Sequence, residues 1–202
     1  MTVPKTPDLA AMAGHYAMLA DEFLRAYFVL GLNGVRLHAR YFVMAHCLEL
    51  AFKASLANRA VAINYATHDL DYLEEQLVLN GNTDIASMRP DQAAKEVFDR
   101  MFNPTVSNFV MQDWLDHREA LEILVCYAHS ADLKYGMDKS GEHILTVTPS
   151  TSVMNARFLG YIASARQHFP DRGESGREIV DFVARIASEF PPLFSRATTI
   201  IK

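Results

Sequence analysis

Residues 144–148, ILTVT, form the single strand-like stretch in a chain of 202 residues. Elsewhere the apolar residues recur at helical spacing. A lone β-prone stretch of that length cannot build a sheet, so the chain must bury its apolar surface by packing helix on helix. The predicted class is all-α, an up-and-down bundle of about five to seven helices. The length fits one α-helical domain over residues 1–202, large enough for one sizeable core.

Local signals divide the chain. Asp8 can cap a first helix that carries Leu9, Met12, Tyr16, Leu19, Phe23 and Tyr27 on one face, and GLNG at 31–34 breaks it. A second helix runs from about Val35 to Asn58, apolar around most of its circumference, which predicts a central, largely buried element. Thr67 or Asp69 can cap a short helix to about Leu79, which NGNTD ends. Pro90 suits the first turn of the next helix. A long helix then covers about Asp113 to Ala131. Ser150 or Thr151 can cap a helix that stops at Pro170, and Ser175 opens a last one that stops before Pro191.

Charge and cysteine content exclude several function classes. The formal net charge is -5, so no global positive field draws the chain to nucleic acid or an anionic membrane. No apolar stretch reaches the roughly 18 residues needed to span a bilayer. The first residues lack a charged segment followed by a hydrophobic run, and the expectation is a cytoplasmic protein with no membrane partner. Cys47 and Cys126 both lie in apolar helical stretches, as reduced core thiols do. Asp113 with His117, and Cys126 with His129, each offer two metal ligands without a third, so no metal site is expected. No phosphate loop, nucleophile elbow or dinucleotide fingerprint occurs, and no cofactor is expected.

One polar stripe interrupts the second helix. At about 100° per residue, His38, His46, Glu49 and Lys53 fall within an arc of about 80°. Glu49 and Lys53 stand in the favoured order for a pair across one turn. If the stripe faces solvent, nothing more is required of it. If it faces another element, these groups must be hydrogen-bonded there, with His68 and Asp69 the natural partners. A His just before a helix, as in THDL, commonly satisfies a nearby carbonyl or carboxylate.

Taken together, AHCLELAFKASL, THDLDYLEEQL and ADLKYG resemble the HEPN family (higher eukaryotes and prokaryotes nucleotide-binding domain). The matching positions are Glu49, Lys53, His68, Asp69 and Leu70, then Leu133, Lys134 and Tyr135. The framework covers about residues 36–136, with flanking helices at both ends. Lys134 stands where the family usually has Arg, which removes a bidentate anion contact.

The resemblance implies a helical bundle, often a homodimer, in a family of RNA-cleaving toxins, defence components and non-catalytic companions of nucleotidyltransferases. Active members carry an Arg, then four to six residues, then a His, near the end of the late helix. The literal match here, Arg40 and His46 in RYFVMAH, lies in the early helix, and six positions leave the two side chains about 120° apart. In the late helix Arg118 and His129 fall outside the family spacing.

The expectation is therefore a catalytically silent HEPN-like protein acting through dimerisation or partner binding, in a defence or toxin–antitoxin setting. Its binding residues would be Glu49, Lys53, His68, Asp69, Lys134 and Tyr135. One alternative is a metal-independent RNase with a relocated site of Arg40, His46 and His129, the only reading with RNA as partner. Another is a small-ligand, nucleotide-binding protein using the Glu49 cluster as its polar floor.

Overall fold

The computed structural model describes residues 8–35, 37–88 and 151–189. Among these every regular element is a helix: α1 Leu9–Leu32, α2 Leu37–Asn58, α3 Leu70–Leu79, α4 Thr83–Met88, α5 Thr151–Arg166 and α6 Gly173–Glu189. The expected strand at 144–148, the helix after Pro90 and the long helix at 113–131 lie outside the described residues.

Asp8 starts α1 as its spacing predicts, its Oδ1 accepting from Ala11 N at 3.1 Å. The buried face of α1 is small at one end and aromatic at the other: Ala13, Ala17 and Ala20, then Leu24, Tyr27 and Phe28. Small side chains let a neighbouring helix approach closely, and α2 takes that place. The two helices are antiparallel, since Tyr27 meets Arg40, Phe23 meets His46 and Tyr16 meets Lys53. Asn33 and Gly34 make the reversal, with Gly34 at φ 69°, a conformation that favours glycine.

As predicted, α2 is the central helix. Tyr41, Met44, Ala45, Cys47, Leu48, Ala51, Phe52, Ala54, Leu56 and Ala57 are all buried. α5 lies parallel to it, with Phe52 against Tyr161 and the Asn58 side chain donating to His168 O at 3.1 Å. Phe158 of α5 also meets Tyr27 at 4.9 Å between ring centres. α6 follows the direction of α1 and buries Ile179 and Ile186, with Phe182 against Phe28.

Three boundaries differ from the sequence expectation. The short helix α4 forms within and beyond the stretch read as a plain break, with Asn82 Oδ1 accepting from Ile85 N at 3.0 Å and from Ser164 Oγ at 2.8 Å. α5 ends at Arg166, four positions before Pro170, in a turn closed by His168 N to Ala165 O and Phe169 N to Arg166 O. α6 begins at Gly173, two positions before Ser175. No helix of the described residues is long and apolar enough to cross a membrane.

Candidate functional site

Glu49 and Lys53 of the polar stripe face inward. Glu49 and Lys53 are 4% and 3% exposed, which excludes the solvated-face reading. Lys53 Nζ donates to Glu49 Oε1 at 2.7 Å. His68, in the connection between α2 and α3, places Nδ1 at 3.0 Å from Oε1 and 3.1 Å from Oε2 of the same carboxylate. An ionised carboxylate only accepts, so this contact puts a proton on Nδ1. The His68 side chain is 60% exposed. His46 stands one turn back with Nδ1 at 3.8 Å from Oε2, an ion-pair separation beyond hydrogen-bond length.

Aromatic rings wall the cluster. Tyr16 lies under the Lys53 ammonium at 5.9 Å and stacks on Tyr65 at 6.2 Å. His46 packs edge-on against Phe42 at 4.4 Å and tilts against Phe23 at 5.7 Å. Tyr65 donates to Val61 O at 2.8 Å, which folds the 59–69 connection over the site.

The charges follow from this packing. Burial alone would push the Glu49 carboxyl up, but the nearby His46 imidazole, the donors Lys53 and His68 and the Lys53 charge outweigh it, holding the group down at about 2. Burial and the negative charge of Glu49 raise the Tyr16 hydroxyl. Burial and Tyr16 push Tyr65 up to about 12. Glu49 is thus a fixed anion with both oxygens engaged.

Of the other sequence candidates, Asp69 is used elsewhere. Its Oδ1 caps α3 by accepting from Tyr72 N at 3.0 Å, while its own N–H donates to Thr67 Oγ1 at 3.2 Å. His129, Lys134 and Tyr135 lie outside the described residues, as do the pairs Asp113 with His117 and Cys126 with His129. His38 occupies the first turn of α2. Among the described residues no group of three or more His, Cys, Asp and Glu could hold a metal ion.

Arg40 and His46 are not brought together. Arg40 is 6% exposed, with its guanidinium 4.6 Å from the centre of the Tyr27 ring and against Gly31, whereas His46 sits among Phe42, Phe23 and Glu49. Arg40 ion-pairs with no Asp or Glu among the described residues. Its Nε has no hydrogen-bond partner there. The carbonyls of Val29, Leu30 and Gly31 near the end of α1 already accept from their own turn. Asn33 N and Nδ2 take Val29 O, Val35 N takes Leu30 O, and Gly34 N takes Gly31 O. Proximity to the negative end of α1 favours the cation by about 0.3–1 kcal/mol, up to about 2. The ring of Tyr27 adds roughly 1–2. The guanidinium also donates to the Tyr27 side chain.

A second charged cluster had no sequence signal. Asp21 of α1, 7% exposed, accepts from Arg166 at the end of α5 through Oδ1 and from Arg172 before α6 through Oδ2. Arg166 also donates to Gly176 O at 3.3 Å and lies over Phe169. Beside it, Cys47 Sγ donates to Ala20 O at 3.2 Å, and burial pushes this thiol well up despite the opposing charge of Arg166. Such a thiol is inert. These partners are 145 and 151 positions apart in the chain, so no local pattern could reveal them.

Comparison of the chain with family models, with curated proteins and with solved structures found no match in any of the three.

Proposed function

We propose that the chain is a HEPN-like helical protein that works by binding, to a second copy of itself or to a partner protein, and not by catalysis. The observation that carries this reading is Glu49, held near pKa 2 with both oxygens engaged. A carboxylate in that state does not take up a proton near neutral pH, so it fails as a general base. Its chemistry is that of an anchor: it ties the connection before α3 to the central helix. The separate neighbourhoods of Arg40 and His46 support the same reading, because charge stabilisation and proton transfer at one phosphate need both groups on that phosphate.

What the cluster offers outward is a set of rings. His68 is exposed, and His46, Tyr16, Tyr65 and Phe42 are half-buried around the anchored pair. Aromatic side chains in partly desolvated surroundings are enriched at the energetic centres of protein interfaces. A companion of a nucleotidyltransferase in a defence or toxin–antitoxin pair would use such a face.

The test is direct. Purified full-length protein should leave RNA intact in chelator-treated buffer and run as a dimer in size-exclusion chromatography with light scattering. Tyr65→Lys should shift that dimer towards monomer while circular dichroism stays helical. RNA cleavage that His46→Ala abolishes would overturn the non-catalytic reading. A monomer with neither dimer nor partner in a pull-down against a co-expressed neighbour would overturn the binding reading.

A further inference from the structure

Beyond its first turn, the open positions of α1 follow one line. His15, Met18, Glu22, Val29 and Leu32 are exposed, and Arg25 is half-exposed. The steps along this line alternate between three and four residues, the period of a coiled-coil seam. It is a different face from the aromatic one, since Met18 lies about 160° around the helix from Tyr16. A helix face that meets only water is ordinarily polar. Yet α1 carries only three charged side chains in 24 residues, Asp21, Glu22 and Arg25, and Asp21 is buried. Met18 and Val29 stand 44% and 48% exposed, and with Leu32 they are three of the five large apolar side chains exposed among the described residues.

The line is complementary to its own reverse. Turning a second α1 end for end about the midpoint between Glu22 and Arg25 sets Glu22 on Arg25, Met18 on Val29 and His15 on Leu32. Each pair then occurs twice, as an isologous contact requires. The parallel arrangement instead sets Glu22 on Glu22 and Arg25 on Arg25, which like charges oppose.

We propose that this line of α1 is a self-association surface, on which α1 of a second copy lies antiparallel about a twofold axis between Glu22 and Arg25. The apolar pairs supply the burial, and the central charges fix direction and register. Arg25 is already aimed outward between α1 and α6, where it meets Glu178 at 3.6 Å and lies over Phe182. The seam is short, about 26 Å from His15 to Leu32, so the contact is a weak one that forms as protein concentration rises. It goes beyond the binding reading above and does not rest on it. Copies joined at the aromatic face would pair again through α1.

Sedimentation velocity of the full chain over a concentration series tests this, in wild type and in Tyr65→Lys. In Tyr65→Lys, the dilute monomer should still dimerise on concentration. Adding Glu22→Arg or Arg25→Glu to that chain should weaken the dimer about tenfold or more, because each places like charges at the centre of the seam. Mixing these two variants in equal amounts pairs two arginines with two glutamates and should restore the dimer. Glu22→Arg with Arg25→Glu in one chain keeps both the net charge and the complementarity, and should associate as the parent does. Circular dichroism should stay helical throughout.

The proposal is overturned if the single charge variants associate as the parent does, or if the mixture or the double swap stays monomeric. A monomer at every concentration in every sample also overturns it, and leaves this face of α1 to another segment of the chain or to an unlike partner. Failure of the aromatic face looks different. Tyr65→Lys would then match wild type, while the charge variants would still separate and their mixture recombine.

Discussion

Glu49 shows how one residue can be legible in kind and illegible in setting. Its four-residue spacing from Lys53, with His46 on the turn before, is plain in the sequence. Whether the stripe is solvated is not, because α2 is apolar around nearly its whole circumference and no polar face marks the outside. The answer comes from the connection at 59–69, which carries Tyr65 and His68 back over the pair. The consequence for stability can be worked out with its sign. The Glu49 carboxyl is held at about 2, against an ordinary value of 4.5, so the folded state binds this proton less readily than the unfolded chain. The stabilisation is therefore complete above about pH 4.5 and is lost as pH falls towards 2. Its size is up to about 3 kcal/mol. Glu49→Gln leaves Lys53 buried without its anion and should cost about 3 kcal/mol at pH 7 in urea unfolding. The gap between wild type and variant should narrow steadily between pH 4.5 and 2. A gap constant over that range would show that Glu49 is not held ionised by its neighbours.

Helix ends carry the next scale, and they show why boundaries were read unevenly. α1, α2 and α3 close with one motif. Val35 N reaches Leu30 O, Val61 N reaches Leu56 O and Asn82 N reaches Leu77 O, with a left-handed residue in the penultimate place. In α1 and α3 that residue is Gly34 or Gly81, and both stops are visible in the sequence. In α2 it is Ala60, at φ 55°, which no glycine rule could reveal. An alanine held there stores roughly 1 kcal/mol of strain. Ala60→Gly should therefore raise stability by about 0.5 kcal/mol in urea unfolding, after the greater backbone freedom of glycine in the unfolded chain is subtracted. A loss would mean that the alanine methyl makes contacts worth more than the strain. The start signals were clearer, because a capping side chain acts on amides two or three positions away. Asp8 caps α1, and of the two candidates Thr67 and Asp69 it is Asp69 that caps α3. Asp69→Ala should cost about 1 kcal/mol and speed amide exchange in the first turn of α3. α4 escaped because its six residues follow a Gly–Asn turn and depend on Asn82 and Ser164, far apart in sequence. Proline marked the end of α5 late, since Pro170 bounds a helix from outside and the turn at 167–169 comes first.

At the scale of the molecule, the fold class follows from periodicity, but the arrangement of helices rests on contacts that periodicity does not encode. α1 and α2 are neighbours through a short turn. α6 is not tied to α1 by chain connectivity, and it reaches α1 through Phe182 on Phe28, Arg25 facing Glu178 at 3.6 Å, and the Asp21 cluster at the α5–α6 turn. The Arg25 pair is exposed on both sides and is worth little. Asp21 is different, because one nearly buried carboxylate holds two guanidiniums whose side chains are 19% and 13% exposed. Without its charge, two cations remain side by side in a partly desolvated place. Asp21→Asn should then cost near the lower end of the roughly 3–5 kcal/mol typical of a broken buried pair. Arg172→Met, which removes the surplus cation and leaves Asp21 with Arg166, should cost much less. The loss should also be local. Hydrogen exchange in Asp21→Asn should accelerate across α6 and the turn before it, while the amides of α2 keep their protection. Equal acceleration in α2 would mean that the cluster stabilises the whole bundle and not the docking of α6. Unchanged protection in α6 would assign that docking to Phe28, Ile179, Phe182 and Ile186 alone.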